Sequence, residues 1–279
     1  MRPLMLTDYH VHLRPDEPDT EFGKFMTAAN VDRFRAAAEE GGITELGVSE
    51  HIHRFKDALR IWDHPFWKEN AIDDLGAYCE FVRTKTDLKL GIEMDFVAGR
   101  EDRIATVLDE HEWDFVIGSV HFLDRAALDW EEYDIWREGR SAEQVWTEYF
   151  ATLAEAARTG LFDVMAHPDL VKHWGAQRPW PEGDLRRFYE PAVAAFVDAG
   201  VAVEISTAGL RKPIGEMYPS PAFIDMCVDA GLDFSLSSDA HLPIHVGHGF
   251  EIATALMHDL GIDCVCVFEG RRRSLEPIG

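Results

Sequence analysis

Apolar residues along this 279-residue chain gather into short runs of strand length, separated by longer stretches with apolar positions three and four apart. The strand-like runs are Leu4–His12, Ile43–Ser49, Leu88–Phe96, Asp114–Phe122, Asp163–His167, Val201–Ser206 and Asp233–Ser238. Between them, Asn30 would cap a helix over Val31–Glu40 that stops at Gly41-Gly42, and Ser141 would cap one that reaches Thr159 and ends at Gly160. Asp184–Ala199 before Gly200, and Ser220–Ala230 before Gly231, repeat the plan. Alternating strands and helices predict a parallel sheet with right-handed crossovers, and about seven such units suit a closed or nearly closed barrel. No repeat or linker divides the chain, so one α/β domain over residues 1–279 is expected. A doubly wound open sheet competes, but the first strand-helix turn lacks the Gly-rich nucleotide fingerprint.

Residues able to bind metals sit at the ends of these runs. Asp8, His10 and His12 finish the first, His51 follows the second, and Glu93 and Asp95 lie near the end of the third. His121 closes the fourth, His167 the fifth, and Asp239 and His241 follow the seventh. In a parallel barrel such ends converge on the face that carries active sites. A lone histidine there is usually a hydrogen-bonded core residue, but His10-x-His12 turns two imidazoles to one side of a strand, and five further segments add donors. Mixed imidazole and carboxylate ligation suits zinc, iron or manganese better than calcium.

Charge sharpens this picture. The formal net charge is −24, which argues against a nucleic-acid partner and would repel a phosphorylated metabolite unless bound cations reversed the field locally. With 46% hydrophobic residues and no apolar run of membrane-spanning length, no membrane partner is expected. The N-terminus has no signal-peptide pattern, so a cytoplasmic location is the simplest expectation. Cys79, Cys227, Cys264 and Cys266 lack zinc-site spacing and read as structural thiols. Trp62, Trp67, Trp174 and Trp180 read as packing for two long loops.

Asp8-x-His10-x-His12, Ser49-Glu50-His51, Gly91-Ile92-Glu93, Gly118-Ser119-Val120-His121, Ala166-His167-Pro168-Asp169 and Ser237-Ser238-Asp239-Ala240-His241 resemble, in order, the motifs of the PHP (polymerase and histidinol phosphatase) family. The resemblance implies a distorted (β/α)7 TIM-like barrel holding two to three divalent ions, zinc, iron or manganese. It implies that His10, His12, Glu93 and Asp239 hold the first ion, and Glu93, His121 and His167 the second. His51 and His241 would hold a third, with Asp16, Glu17 or Asp19 completing it. Glu50 and Asp169 would orient ligands from behind. Thr207–Pro213 with Gly215–Ser220, and Phe162–Lys172, are similar to segments of the family's histidinol phosphatases. That likeness implies hydrolysis of L-histidinol phosphate in histidine biosynthesis, with Glu93 and Asp239 as catalytic carboxylates. Arg211 would grip the phosphate, Lys212 would be solvated, and the acidic loop at Asp16, Glu17 and Asp19 would attract the substrate's cationic end. Competing readings are a phosphoesterase of the same fold acting on a nucleotide, a non-catalytic metal-binding barrel, and an amidohydrolase.

Overall fold

The computed structural model describes residues 5–16, 21 and 23–278. Seven parallel strands form its sheet in sequence order. They are β1 (Thr7–Asp8), β2 (Glu45–His51), β3 (Lys89–Asp95), β4 (Phe115–Ser119), β5 (Val164–Met165), β6 (Ala202–Ser206) and β7 (Phe234–Ser237). The helices are α1 (Ala28–Glu40), α2 (Pro65–Asn70), α3 (Leu75–Lys85), α4 (Glu101–Leu108), α5 (Ala142–Arg158), α6 (Arg186–Ala199), α7 (Pro221–Asp229) and α8 (Phe250–Asp259). Each crossover between consecutive strands carries at least one helix. An antiparallel hairpin, β8 (Cys264–Glu269) with β9 (Arg272–Pro277), ends the chain. This is the expected nearly closed barrel. Among the described residues, no helix is long and apolar enough to cross a membrane.

Closure occurs beside the predicted ligands. Val11 bridges Ala240 in parallel, His12 N–H donates to the Ala240 carbonyl at 2.8 Å, and Ala240 N–H donates to the His10 carbonyl at 3.2 Å. Asp8 bolts the same seam, its carboxylate accepting from Ser238 N–H at 3.0 Å and Gly247 N–H at 3.3 Å. Its carboxyl therefore serves the barrel seam, and burial pushes it up to about 6.

The period-2 alternation of the strands separates two apolar regions. Val48, Ile92, Val116, Met165, Val203 and Leu236 point outward and join the helices in the main core. Inward, Tyr9, Phe115, Ile117, Val164, Ala166 and Ala202 fill the barrel floor with Cys266 and Phe268 of β8. Tyr9 and Phe115 stack tilted at 5.0 Å, and Tyr9 meets Phe268 edge-on at 5.6 Å. The Phe115 ring occupies the space that side chains at Gly47 and Gly91 would need. The hairpin thus plugs the floor, and the polar inward positions are left to the opposite mouth.

Some boundaries differ from the sequence reading. Thr27, not Asn30, caps α1: its hydroxyl accepts Asn30 N–H, while the Asn30 amide donates to the carbonyls of Leu13 and Phe25 at 3.0 Å each. An amide reaching two loop carbonyls satisfies more buried polar groups than a cap would. β4 ends at Ser119, and Phe122–Leu123 folds onto Ala126–Ala127 in a short hairpin, because His121 leaves the ladder to turn inward. Ser141 caps α5 in a complete capping box with Gln144, and left-handed Gly200 ends α6, as expected. The four cysteines are free thiols, three of them buried.

Gly91→Ala should lower unfolding free energy by about 1–3 kcal/mol through overpacking against Phe115, read as a lower urea midpoint. Adding Phe115→Leu should recover part of the loss. An unchanged midpoint in the single variant would show that the floor is not tightly packed.

Candidate metal centre

At the open mouth, strand register sets the site. His51 on β2 and Glu93 on β3 are direct parallel neighbours, which puts an imidazole beside a carboxylate before any loop is considered. The extended segment after β1 turns His10 and His12 to the same side, since Val11 between them is committed to the seam. His167 and Asp239 stand just past β5 and β7 with φ of 27° and 50°, left-handed values that non-glycine residues adopt at a cost. That strain aims both side chains inward.

Glu93 is fully buried and is the hub. Its Oε2 lies 3.3 Å from His10 Nε2 and 3.6 Å from His12 Nε2, and it contacts His51 Nδ1. Its Oε1 lies 3.1 Å from His167 Nε2 and 3.5 Å from His121 Nε2. Asp239 Oδ1 stands 3.4 Å from His12 Nε2, 3.8 Å from His10 Nε2 and 3.6 Å from His241 Nδ1. His241 Nε2 sits 3.2 Å from His51 Nε2 and 2.8 Å from Asp16 Oδ1. Of the three loop acids named for a third ion, Asp16 is therefore the one placed among these donors; Glu17 and Asp19 lie outside the described residues.

Second-layer carboxylates set which ring nitrogen is free. Glu204 accepts from His10 Nδ1 at 2.7 Å, so that nitrogen carries the proton and Nε2 keeps its lone pair for the centre. The same carboxylate accepts His167 N–H at 2.7 Å and the Ser237 hydroxyl at 2.7 Å, locking three segments together. Asp95 does this for His121, accepting from Nδ1 at 2.6 Å. Glu50 accepts the N–H groups of Leu13 and Arg14 at 2.6 and 3.1 Å and pairs with Arg54 at 2.5 Å. Arg54 in turn reaches Asp16 at 3.2 Å, so Glu50 fixes the loop that brings Asp16 to His241. Asp169 touches no ligand side chain: it pairs with buried Lys172 at 2.9 Å and accepts Ser220 N–H at 2.8 Å. Its place beside His167 in sequence is spent on tying two loops together.

Electrostatics follow from burial and neighbours. Burial alone would raise Glu93, yet the imidazoles of His51, His10 and His121 outweigh it and hold the carboxyl well below its ordinary range. Asp239 is lowered likewise by His10, His12 and His241 against its own burial. Burial lowers His12 and His51 well below ordinary histidine values. For His10, Glu204, Asp239 and Glu93 overcome burial and raise the ring, and for His121, Asp95 and Glu93 push it up to about 10, so a bound cation would take the place of the Nε2 proton on each.

The donor set fits metal ions. His10 Nε2, both ring nitrogens of His12, His51 Nδ1, Glu93 Oε2 and Asp239 Oδ1 are buried without a hydrogen-bond partner among the described residues, a cost that coordination removes. Four sets bring one donor atom per residue within 4.8 Å of each other: His10, His12 and Glu93; His51, Glu93 and His121; His10, His167 and Asp239; His12, His51 and His241. The last joins the two histidines expected for a third ion, His51 and His241, to His12, which was expected on the first, and does not include a loop acid. His51 also reaches the Glu93–His121 group, and His167 falls with His10 and Asp239, a partition the motifs alone did not suggest.

A cavity opens on this centre, lined by His51, His121, His167, Asp239 and His241 on one side and by Phe66, Phe122, Asp129, Trp130, His173 and Lys212 on the other. Arg211 is not on its wall. Its Nη2 donates to the carbonyls of Ser238 and Asp239 at 2.7 and 3.0 Å, and its buried Nη1 has no hydrogen-bond partner among the described residues. Lys212, read from sequence as solvated, instead lines the cavity because the turn after β6 directs it there. The sequence reading also passed over Glu204, although a lone acid inside Val201–Ser206, an otherwise apolar strand, was a signal for it.

Replacing Glu204 by Gln should weaken zinc binding about 10- to 100-fold while far-UV circular dichroism stays unchanged. Competition with a chromogenic chelator measures the affinity, and an unchanged value would remove Glu204 from the centre.

Comparisons with known proteins agree with this geometry. The family model described as the PHP domain matches residues 8–208. A protein named "Probable histidinol-phosphatase" from Deinococcus radiodurans is 33% identical over 250 residues, covering 88% of this chain and 91% of its own length. The histidinol-phosphatase of Bacillus subtilis is 25% identical over 251 residues, with 81% and 94% covered. The crystal structure of histidinol phosphate phosphatase from Lactococcus lactis, complexed with zinc, L-histidinol and phosphate, shares the fold at a TM-score of 0.69 and 17% identity, covering 97% of this chain and 98% of that one. With a seven-stranded parallel barrel, converging imidazoles and carboxylates, and a family match across most of its length, this chain belongs to the PHP domain family.

Proposed function

We propose that this chain is a metal-dependent phosphomonoester hydrolase that converts L-histidinol phosphate to L-histidinol and phosphate, acting as one catalytic domain in the cytoplasm. The observation that carries the reading is Glu93 at the centre of five imidazoles, beside a cavity whose wall carries Lys212 and Asp129, neither in an ion pair among the described residues. The names of the Deinococcus and Bacillus relatives and the ligands of the Lactococcus structure support the substrate.

Two to three zinc, iron or manganese ions, held by His10, His12, His51, Glu93, His121, His167, Asp239 and His241, would neutralise the phosphate and acidify a water. Glu93 is the shared carboxylate, with one oxygen toward His10, His12 and His51 and the other toward His121 and His167. Asp239 reaches the cavity wall, which Glu93 does not, so it accepts a hydrogen bond from the attacking water and orients it in line. Arg211, expected to grip the phosphate, lies behind the cavity wall and holds the Ser238–Asp239 turn through two carbonyls, so it positions Asp239. The Glu204 and Asp95 bonds keep His10 and His121 from tilting as the phosphate charge shifts.

Phosphate release from a panel of esters tests this. We expect kcat/KM for histidinol phosphate at least about 100-fold above nucleoside monophosphates and p-nitrophenyl phosphate, roughly 2.7 kcal/mol of differential transition-state binding. Glu93→Gln should abolish turnover. Equal rates across the panel, or a preference for a nucleotide, would reject the substrate and leave the hydrolase; full turnover in Glu93→Gln would reject both.

A further inference from the structure

Among the described residues, three carboxylates face the cavity: Asp16, Asp129 and Asp239. Asp239 is committed to His10, His12 and His241, and Asp16 to His241 and Arg54. Asp129 is half-buried and makes no hydrogen bond or ion pair among the described residues. A half-buried carboxylate on a cavity wall, with no partner among the described residues, is open to a cationic ligand.

The backbone beside Asp129 is nonetheless fixed. Leu128 N–H donates to the carbonyl of His121 at 2.9 Å, and the Leu128 carbonyl accepts Trp174 Nε1–H at 2.8 Å. Asp129 therefore sits one residue from a backbone bond to His121 and lines the same cavity as that histidine. Its carboxylate shares the cavity wall with His121, His173 and Tyr218. Next to it, Phe66 packs against Trp130 at 5.2 Å and Phe122 at 5.9 Å, forming an apolar face the height of an aromatic ring. Lys212, also without an ion pair among the described residues, lines the same space. Among the described residues the cavity therefore presents candidate metal ligands and a lysine for an anion, one unengaged carboxylate for a cation, and an aromatic wall for a flat ring.

Resting on the hydrolase reading above, we infer that Asp129 is the specificity residue that binds the substrate's ammonium group, with the imidazole laid against Phe66, Phe122 and Trp130. The class selected is the phosphate ester of a 2-aminoalcohol. Its ammonium stands two carbons from the ester oxygen, so a carboxylate near the phosphate site can meet it while the ring extends to the aromatic face. Such a carboxylate was expected from the loop at Asp16, Glu17 and Asp19; Asp16 is already engaged by His241 and Arg54, and Glu17 and Asp19 lie outside the described residues.

The test compares histidinol phosphate with 3-(imidazol-4-yl)propyl phosphate, the same ester without the amine. In the wild type, kcat/KM should favour the amine-bearing ester. In Asp129→Asn that ratio should fall about 30-fold, chiefly through KM, with metal content unchanged, and Asp129→Glu should restore part of it. Inhibition by L-histidinol should weaken in parallel. A ratio that Asp129→Asn leaves intact, in an enzyme that still prefers histidinol phosphate to p-nitrophenyl phosphate, overturns the assignment of Asp129 alone. A wild type with no preference between those two esters overturns the substrate reading and this inference with it.

Discussion

A fully buried carboxylate such as Glu93 exists as an anion only if positive charge or coordination surrounds it, since desolvation of an isolated charge exceeds what a small domain can sustain. The rest of the site can be derived from that requirement. Five imidazoles from four segments converge on its two oxygens, and each must present the correct nitrogen. Glu204 and Asp95 impose that choice on His10 and His121. An imidazole left to itself could rotate to its other tautomer and lose its lone pair to the wrong direction.

The barrel meets this need by dividing its interior. The floor is filled by Tyr9, Phe115 and Phe268, so the fold draws its apolar burial from one end and from the outer helical layer. The mouth can then hold orphaned polar atoms and two left-handed residues without unfolding. The seam is where the two demands meet. Val11 and Ala240 close the sheet between His10 and His12 on one side and Asp239 and His241 on the other, while Asp8 bonds Ser238 from below. Closing the barrel and assembling the ligands are one structural event.

Much of this was legible in the sequence because the candidate ligands sit at strand ends, where a period-2 pattern stops and a His or acid follows. His10, His12, His51, Glu93, His121, His167, Asp239 and His241 were all found that way, and the structure gathers them. What remained hidden depended on long-range register. Glu204 serves His10, 194 positions away, and only the adjacency of barrel strands reveals the pair. The engagement of Arg211 with the Ser238 and Asp239 carbonyls, and the turn of Lys212 into the cavity, are set by loop geometry that no local spacing encodes. Asp169 misled for the opposite reason: sequence proximity to His167 suggested a role that Lys172 and Ser220 had already taken. Asn30 gave way to Thr27 as a cap because two loop carbonyls competed for its amide.

The central claim is that Glu93 is shared between neighbouring ions in a site built before substrate arrives. Anomalous diffraction at the zinc edge from zinc-loaded crystals tests it most directly. The account predicts at least two peaks flanking Glu93, about 3.5–4 Å apart, with each carboxylate oxygen on a different ion and His10 and His121 coordinating through Nε2. A single ion, or several that leave Glu93 uncoordinated, would contradict it.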